Sequence, residues 1–174
     1  MGNKNLIIEI SPRDFDPNDS IEDIKEYKIR RASRGILKKG NLIALINISK
    51  HGYHKLPGGG IEKDETPEEA FKREILEETG CTSSIKDFGG ITIEYRRESK
   101  TFQLSYVFFG EVVEETGKVA FEESEIEEGS QLEWIPITDV KKLMSSENPL
   151  EFDGNYIHKR DKEIFNFYKG YLSK

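Results

Sequence analysis

Runs of alternating apolar and polar residues mark the strands of this chain, and apolar residues at helical spacing mark its helices. Tyr27 to Leu37 and Leu42 to Ile48 are rich in β-formers, and Lys38-Lys39-Gly40-Asn41 between them has the turn chemistry of a hairpin. A second hairpin is predicted from Ile85 to Tyr95 and Thr101 to Val113, with Phe102, Leu104, Tyr106 and Phe108 alternating onto one face. Leu6 to Ile10 reads as a short first strand followed by a loop over Ser11 to Ser20, with the core sheet beginning later, and Leu132 to Ile135 reads as a last strand.

The stretch from His51 to Glu65 holds Gly52, Pro57 and the triplet Gly58-Gly59-Gly60, and is predicted to contain no regular element. It feeds a helix whose ends are spelled out. Thr66 is a good N-cap, Pro67 suits the first helical position, Glu69 completes a capping box, and Gly80 closes the far end as a left-handed residue. The helix is therefore predicted over Pro67 to Thr79. A helix capped by Thr138 and running through Met144, and a terminal amphipathic helix from Asp161 to Tyr171, complete the set. Glu114 to Glu133 is an acidic loop with room for a short helix. Strands flanked by helices before and after predict an α/β (α+β) fold, a mixed sheet sandwiched between helices.

At 174 residues the chain suits one domain, read as a domain over 26–174 preceded by an N-terminal extension over 1–25, a short strand and loop packed on it. Net charge is −7, which argues against a nucleic acid polymer as partner, because such binding needs a surplus of Lys and Arg on one face. The local cluster Lys28, Arg30, Arg31 and Arg34 is of a size for a small phosphate only. Glu9 interrupts Leu6-Ile7-Ile8, so no signal peptide, membrane span or membrane partner is expected, and Gly2 lacks the hydroxyl residue that a myristoylation signal needs. The single cysteine, Cys81, excludes an internal disulfide and a multi-cysteine zinc site, in keeping with a cytoplasmic location.

Charge placement on the predicted helix is what calls for chemistry. Glu77 and Glu78 sit in its last turn, where the macrodipole favours cations, and Glu74 lies one turn earlier. The three carboxylates span a sector of roughly 100°, bordered by Phe71 and Ile75 on one side and by Arg73 on the other, with Ala70 leaving room above. A solvated acidic face costs little, about 0.2–0.5 kcal/mol per like-charged pair, so repulsion alone decides nothing. The glycine-rich loop ahead of the helix favours a divalent-metal site, because backbone groups without Cβ atoms can approach a hard cation and a phosphate.

Gly59 to Cys81, GGIEKDETPEEAFKREILEETGC, resembles the Nudix box, the 23-residue signature of hydrolases acting on nucleoside diphosphates linked to another group. All seven fixed identities are present, at Gly59, Glu65, Arg73, Glu74, Glu77, Glu78 and Gly80; Ile75 fills the first aliphatic position, and Cys81 replaces the aliphatic residue at the last. Leu56-Pro57-Gly58, Arg34-Gly35-Ile36 and Glu133-Trp134-Ile135-Pro136 are also family-like. The resemblance implies a Mg²⁺-dependent hydrolase, with Mn²⁺ as the alternative ion, acting on a small-molecule nucleotide by attack of water on phosphorus. It implies Glu74, Glu77, Glu78 and the Gly58 carbonyl as metal ligands, Gly59 and Glu65 as support, and Arg73 as the residue that holds the glutamates. The general base is then Glu74, or a member of the segment holding Glu122, Glu123, Glu125, Glu127 and Glu128. Arg34, Tyr95 and Arg97 are candidates for substrate contact, as are Tyr53, His54 and His158, although surface or packing roles outweigh binding for each. A homodimer is common in such families. The rival reading is a Nudix-fold module that senses a nucleotide without cleaving it, against which stands the complete set of box glutamates.

Overall fold

The computed structural model describes residues 5–19 and 24–172, with the side chain of Ile24 left aside. The extension over 1–25 is thus described only in part, and the reading made on Gly2 lies outside the described residues. Eight strands form one mixed sheet: β1 (Leu6–Ile10), β2 (Lys28–Lys39), β3 (Leu42–Ile48), β4 (Tyr53–Lys55), β5 (Gly58–Gly60), β6 (Cys81–Arg96), β7 (Thr101–Glu115) and β8 (Ser130–Pro136). The order is β1-β6-β7-β2-β3-β4, with β5 added to β2 and β8 to β3. The helices are α1 (Pro67–Thr79), α2 (Glu123–Glu127), α3 (Ile137–Ser146) and α4 (Phe152–Leu172).

Period-2 alternation on the central strands builds two cores back to back. On one face Leu37, Ala44 and Phe108 meet Phe71 and Ile75 of α1, and Cys81 is buried among them as a small apolar residue. On the other face their neighbours Ile36, Ile43, Leu45, Val107 and Phe109 meet Val140 and Met144 of α3 and Ile164, Phe165 and Tyr168 of α4. The sheet is therefore sandwiched between helices, as predicted. Among the described residues no helix is long and apolar enough to cross a membrane.

Both hairpins form, and β1 forms where it was predicted but belongs to the sheet itself, adding parallel to β6 and burying Ile10. Three expectations need correction. The loop from His51 to Glu65 contains two strands, because Gly58–Gly60 finds backbone partners in Ala32, Ser33 and Arg34 of β2, and Tyr53–Lys55 finds them in β3. Thr138 does not cap α3: Pro136 stands at the cap without a side-chain hydrogen bond, and the Thr138 hydroxyl donates to Asp139 at 3.1 Å. The terminal helix starts at Phe152, nine residues before Asp161, since its first turns pack Gly154 and Tyr156 into the interior. On β7 Phe102, Leu104, Tyr106 and Phe108 share one face as expected, with Phe108 buried and the other three partly so, while the polar Gln103 and Ser105 on the opposite face are buried as well.

Candidate active site

Helix α1 has the predicted bounds, and its caps are the predicted ones. The Thr66 hydroxyl accepts from Glu69 N–H at 3.3 Å, the Glu69 carboxylate accepts from Thr66 N–H at 2.9 Å, and Gly80 takes a left-handed φ of 63°. Burial of Phe71 and Ile75 against the sheet fixes the helix rotation, which turns Glu74 and Glu77 toward β5 and the acidic loop.

Arg73 organises the exposed half of the stripe. Its Nε and Nη2 donate to the two oxygens of Glu65 at 2.9 and 3.1 Å, its Nη1 donates to Glu74 at 2.8 Å and Glu77 at 2.9 Å, and Nη2 also reaches the Gly60 carbonyl at 2.8 Å. This bidentate pairing holds the Glu65 carboxyl below its ordinary range, whereas burial pushes that of Glu74 up against the pull of Arg73.

Glu78 lies deeper. Its side chain is 1% exposed; Oε2 accepts the Gly58 N–H at 2.6 Å, while Oε1 stands 3.0 Å from Lys55 Nζ without hydrogen-bond alignment. Burial pushes its carboxyl up to about 8, with Lys55 opposing and Glu125 of α2 adding to the rise. Lys55 also donates to Glu125 at 3.0 Å, and these two carboxylates keep it charged in spite of its burial.

The glycine strand makes this close approach possible. Gly58 has φ 138°, and a Cβ there would stand 2.4 Å from Arg34 Cβ; a Cβ on Gly59 would stand 2.4 Å from Glu74 Oε1. The result is a cavity of about 400 Å³ lined by Gly58, Gly59, Arg73, Glu74, Glu77 and Glu125. Among the described residues no three acidic, imidazole or thiol side chains are arranged so as to hold a metal ion already, and the carboxylates of α1 are turned onto Arg73 and Lys55. The donor set nevertheless fits a hard divalent cation: carboxylate oxygens of Glu74, Glu77 and Glu78, a buried Oε1 without a hydrogen bond, and a strand with no side chains in the way.

A second cavity, of about 330 Å³, adjoins the first through Arg30, Lys55 and Gly58. Arg34 lines it; Tyr95 and Arg97 line neither cavity. Tyr95 stacks edge-on against Phe102 at 5.2 Å, and Arg97 pairs with Asp19 and Glu98 at the β6–β7 turn. His54 and His158 converge on Glu147 instead, and Tyr53 is buried beside His158. Of the acidic segment, Glu122 and Glu125 reach the first cavity. Sequence reasoning passed over Lys55, Arg96 and Arg160 as site residues. Lys55 directly precedes Leu56-Pro57-Gly58, which was a usable signal; Arg160 lay outside the helix as predicted, so its inward position was not visible.

A model of the NUDIX domain matches residues 30–153. An ADP-ribose pyrophosphatase of Methanocaldococcus jannaschii is 37% identical over 98 residues, covering 52% of this chain and 58% of that protein. Diphosphoinositol polyphosphate phosphohydrolase 3-alpha of Mus musculus is 30% identical over 95 residues, covering 55% of this chain and 54% of that one. The matches thus span little more than half the length of these relatives. A NUDIX hydrolase from Nitrosomonas europaea superposes with a TM-score of 0.62 at 18% identity, over 82% of this chain and 90% of that one. The MutT protein from Methanosarcina mazei Go1 gives 0.60 at 20% identity, over 86% and 99%. At these identities the likeness is one of fold.

Proposed function

Since the chain belongs to the Nudix family, we propose that it hydrolyses the pyrophosphate linkage of a nucleoside diphosphate derivative, a nucleoside triphosphate or an ADP-ribose-like compound, with Mg²⁺ as its ion and Mn²⁺ as substitute. The observation that carries the reading is the meeting of the glycine strand with the acidic helix: Gly58 N–H on Glu78, Gly59 against Glu74, and Glu77 beside them in one cavity. Glu74, Glu77, Glu78 and the Gly58 carbonyl would hold the metal. When bound, the ion lowers the pKa of water and offsets charge on phosphoryl oxygens.

The chain's own residues do the positioning. Arg73 orients Glu74 and Glu77 and is itself held by Glu65 and the Gly60 carbonyl, so neither carboxylate swings freely. Glu74 is the first choice as general base, because burial raises its proton affinity while it stays within the cavity. Glu125 is the alternative, supported by its place in the same cavity on the bridging Lys55. The products are a nucleoside monophosphate and a phosphorylated remainder.

The test is incubation of the purified chain with Mg²⁺ and a panel of nucleoside triphosphates, ADP-ribose, dinucleoside polyphosphates and nucleotide sugars. Cleavage at the anhydride is expected; Glu74→Gln should abolish it in either case, since Glu74 is also a metal ligand, while Glu125→Gln should abolish it only if Glu125 is the base. Binding without turnover across the panel would overturn the enzyme in favour of a sensor.

A further inference from the structure

Five cations from four elements face the second cavity: Arg30 and Arg34 of β2, Lys55 of β4, Arg96 of β6 and Arg160 of α4. In a chain of net charge −7 this is a local concentration of cationic side chains. Much of that charge is offset: Asp153 also lines the cavity, 3.9 Å from Arg96 Nη1, and Lys55 pairs with Glu78 and Glu125. Glu94, fully buried, accepts from Arg96 Nε and Nη2 at 2.9 and 2.6 Å and from Arg160 Nη1 at 3.0 Å, and Asp161 accepts from Arg160 Nε at 2.7 Å. Burial alone would raise the Glu94 carboxyl, but Arg160, Arg96 and Arg34 hold it down at about 2, so it is charged.

Arg30 and Arg34 have no carboxylate partner within ion-pair distance among the described residues. Arg34, 4% exposed, donates from Nε to the neutral Ser105 hydroxyl at 3.3 Å, and Arg30 donates from Nη1 to the Gln103 amide oxygen at 2.7 Å. Among the described residues the buried Nη2 of Arg160 has no hydrogen-bond partner. Burial, with Arg160 nearby, lowers the Arg34 pKa to about 9 against the pull of Asp161 and Glu94. A network serving the fold alone would pair its guanidinium groups; this one leaves donor capacity beside a cavity. No aromatic ring lines that cavity among the described residues, so nothing there stacks a nucleobase.

We infer that the arginine cavity binds a phosphate that the substrate carries beyond the scissile anhydride, on a polyphosphate tail or a phosphorylated sugar, and that the base lies elsewhere. Guanidinium groups take phosphate oxygens in pairs, and the two cavities share Arg30, Lys55 and Gly58, so one molecule spans both. The inference rests on reading the carboxylate cavity as the place of hydrolysis.

In EDTA the carboxylate cavity repels anions, which isolates the arginine cavity for titration calorimetry on the full chain with inorganic tripolyphosphate, glucose 1,6-bisphosphate and adenosine. The phosphate compounds should bind and adenosine should not; the tighter of the two tells a polyphosphate tail from a phosphorylated sugar. Arg34→Gln should weaken binding about tenfold. Arg30→Gln, on an exposed side chain, should act in the same direction and stands in if Arg34→Gln fails to fold. In turnover, Arg34→Gln should raise KM for ATP about tenfold more than KM for ADP-ribose, which has no phosphate beyond its linkage. Adenosine binding without phosphate binding, phosphate affinity indifferent to both arginine variants, or equal KM changes for the two substrates would overturn the inference. If tripolyphosphate binds through Arg34 while no panel substrate is cleaved, the hydrolytic reading falls and the anion cavity stands.

Discussion

Glu78 joins the glycine strand to the acidic helix through a single side chain, and its replacement separates chemistry from folding. Glutamine can still accept the Gly58 N–H and fill the same volume, but it cannot ionise to offer a cation an anionic oxygen. Glu78→Gln is therefore expected to lose turnover by orders of magnitude while melting near the wild-type temperature; near wild-type turnover would remove Glu78 from the proposed metal site. Gly59→Ala is a second separation. The added methyl would meet the Glu74 carboxylate at 2.4 Å, and because that obstacle is the far end of a side chain, the glutamate moves and the backbone does not. Activity should fall with the circular dichroism spectrum unchanged, and a fully active Gly59→Ala would count against Glu74. The grouping of Glu74, Glu77 and Glu78 was legible from sequence because their spacing on one helix is local information. The arginine cavity was not, since Arg34, Arg96 and Arg160 are brought together only by the pairing of β2, β7 and β6 and the packing of α4.

At the scale of single elements, α1 was readable to the residue because its start and stop are written within the helix and its two flanks. Thr66→Ala removes the cap acceptor and should cost about 1 kcal/mol in denaturant unfolding. The β5 strand and the start of α4 were not readable, and both misses turn on glycine. A glycine triplet reads as loop until β2 supplies a ladder, and Gly154 reads as a breaker until its lack of a Cβ is seen to admit Tyr53, whose ring a methyl would meet at 2.9 Å. The turn after α3 is held down by Glu147, which accepts the His54 N–H at 3.2 Å, contacts His54 Nδ1, and lies 3.1 Å from His158 Nε2. Burial raises the Glu147 carboxyl, but the histidine contacts outweigh it and bring it to about 2. Its contribution is thus complete above its ordinary value of 4.5 and is lost as pH falls toward about 2. Burial lowers His54, yet Glu147 and Glu133 raise it overall, so its contribution is complete below 6.5 and is lost as pH climbs through the folded value. A melting profile should be highest between these limits, and Glu147→Gln should lower that maximum by about 1–3 kcal/mol and flatten both flanks. An unchanged profile in the variant would show that the cluster does not hold the turn.

The whole molecule depends on its first strand more than the sequence reading allowed. β1 lies along β6 from Ile91 to Glu94, so it covers the strand that carries the buried carboxylate of the arginine network. Deleting the chain through Ile10 should cost at least about 2 kcal/mol from Ile10 alone and weaken tripolyphosphate binding as Glu94 gains access to water. A truncated chain with full stability and full anion affinity would show that β1 is dispensable. Arg34 and Gly58 face each other across one rung of the β2–β5 ladder. The guanidinium that faces one cavity and the peptide that grips Glu78 where the two cavities meet are therefore bolted together by main chain, which acts as a ruler. Side-chain replacement can alter what is seized at either end, but how long a molecule reaches from one to the other is dictated by the sheet.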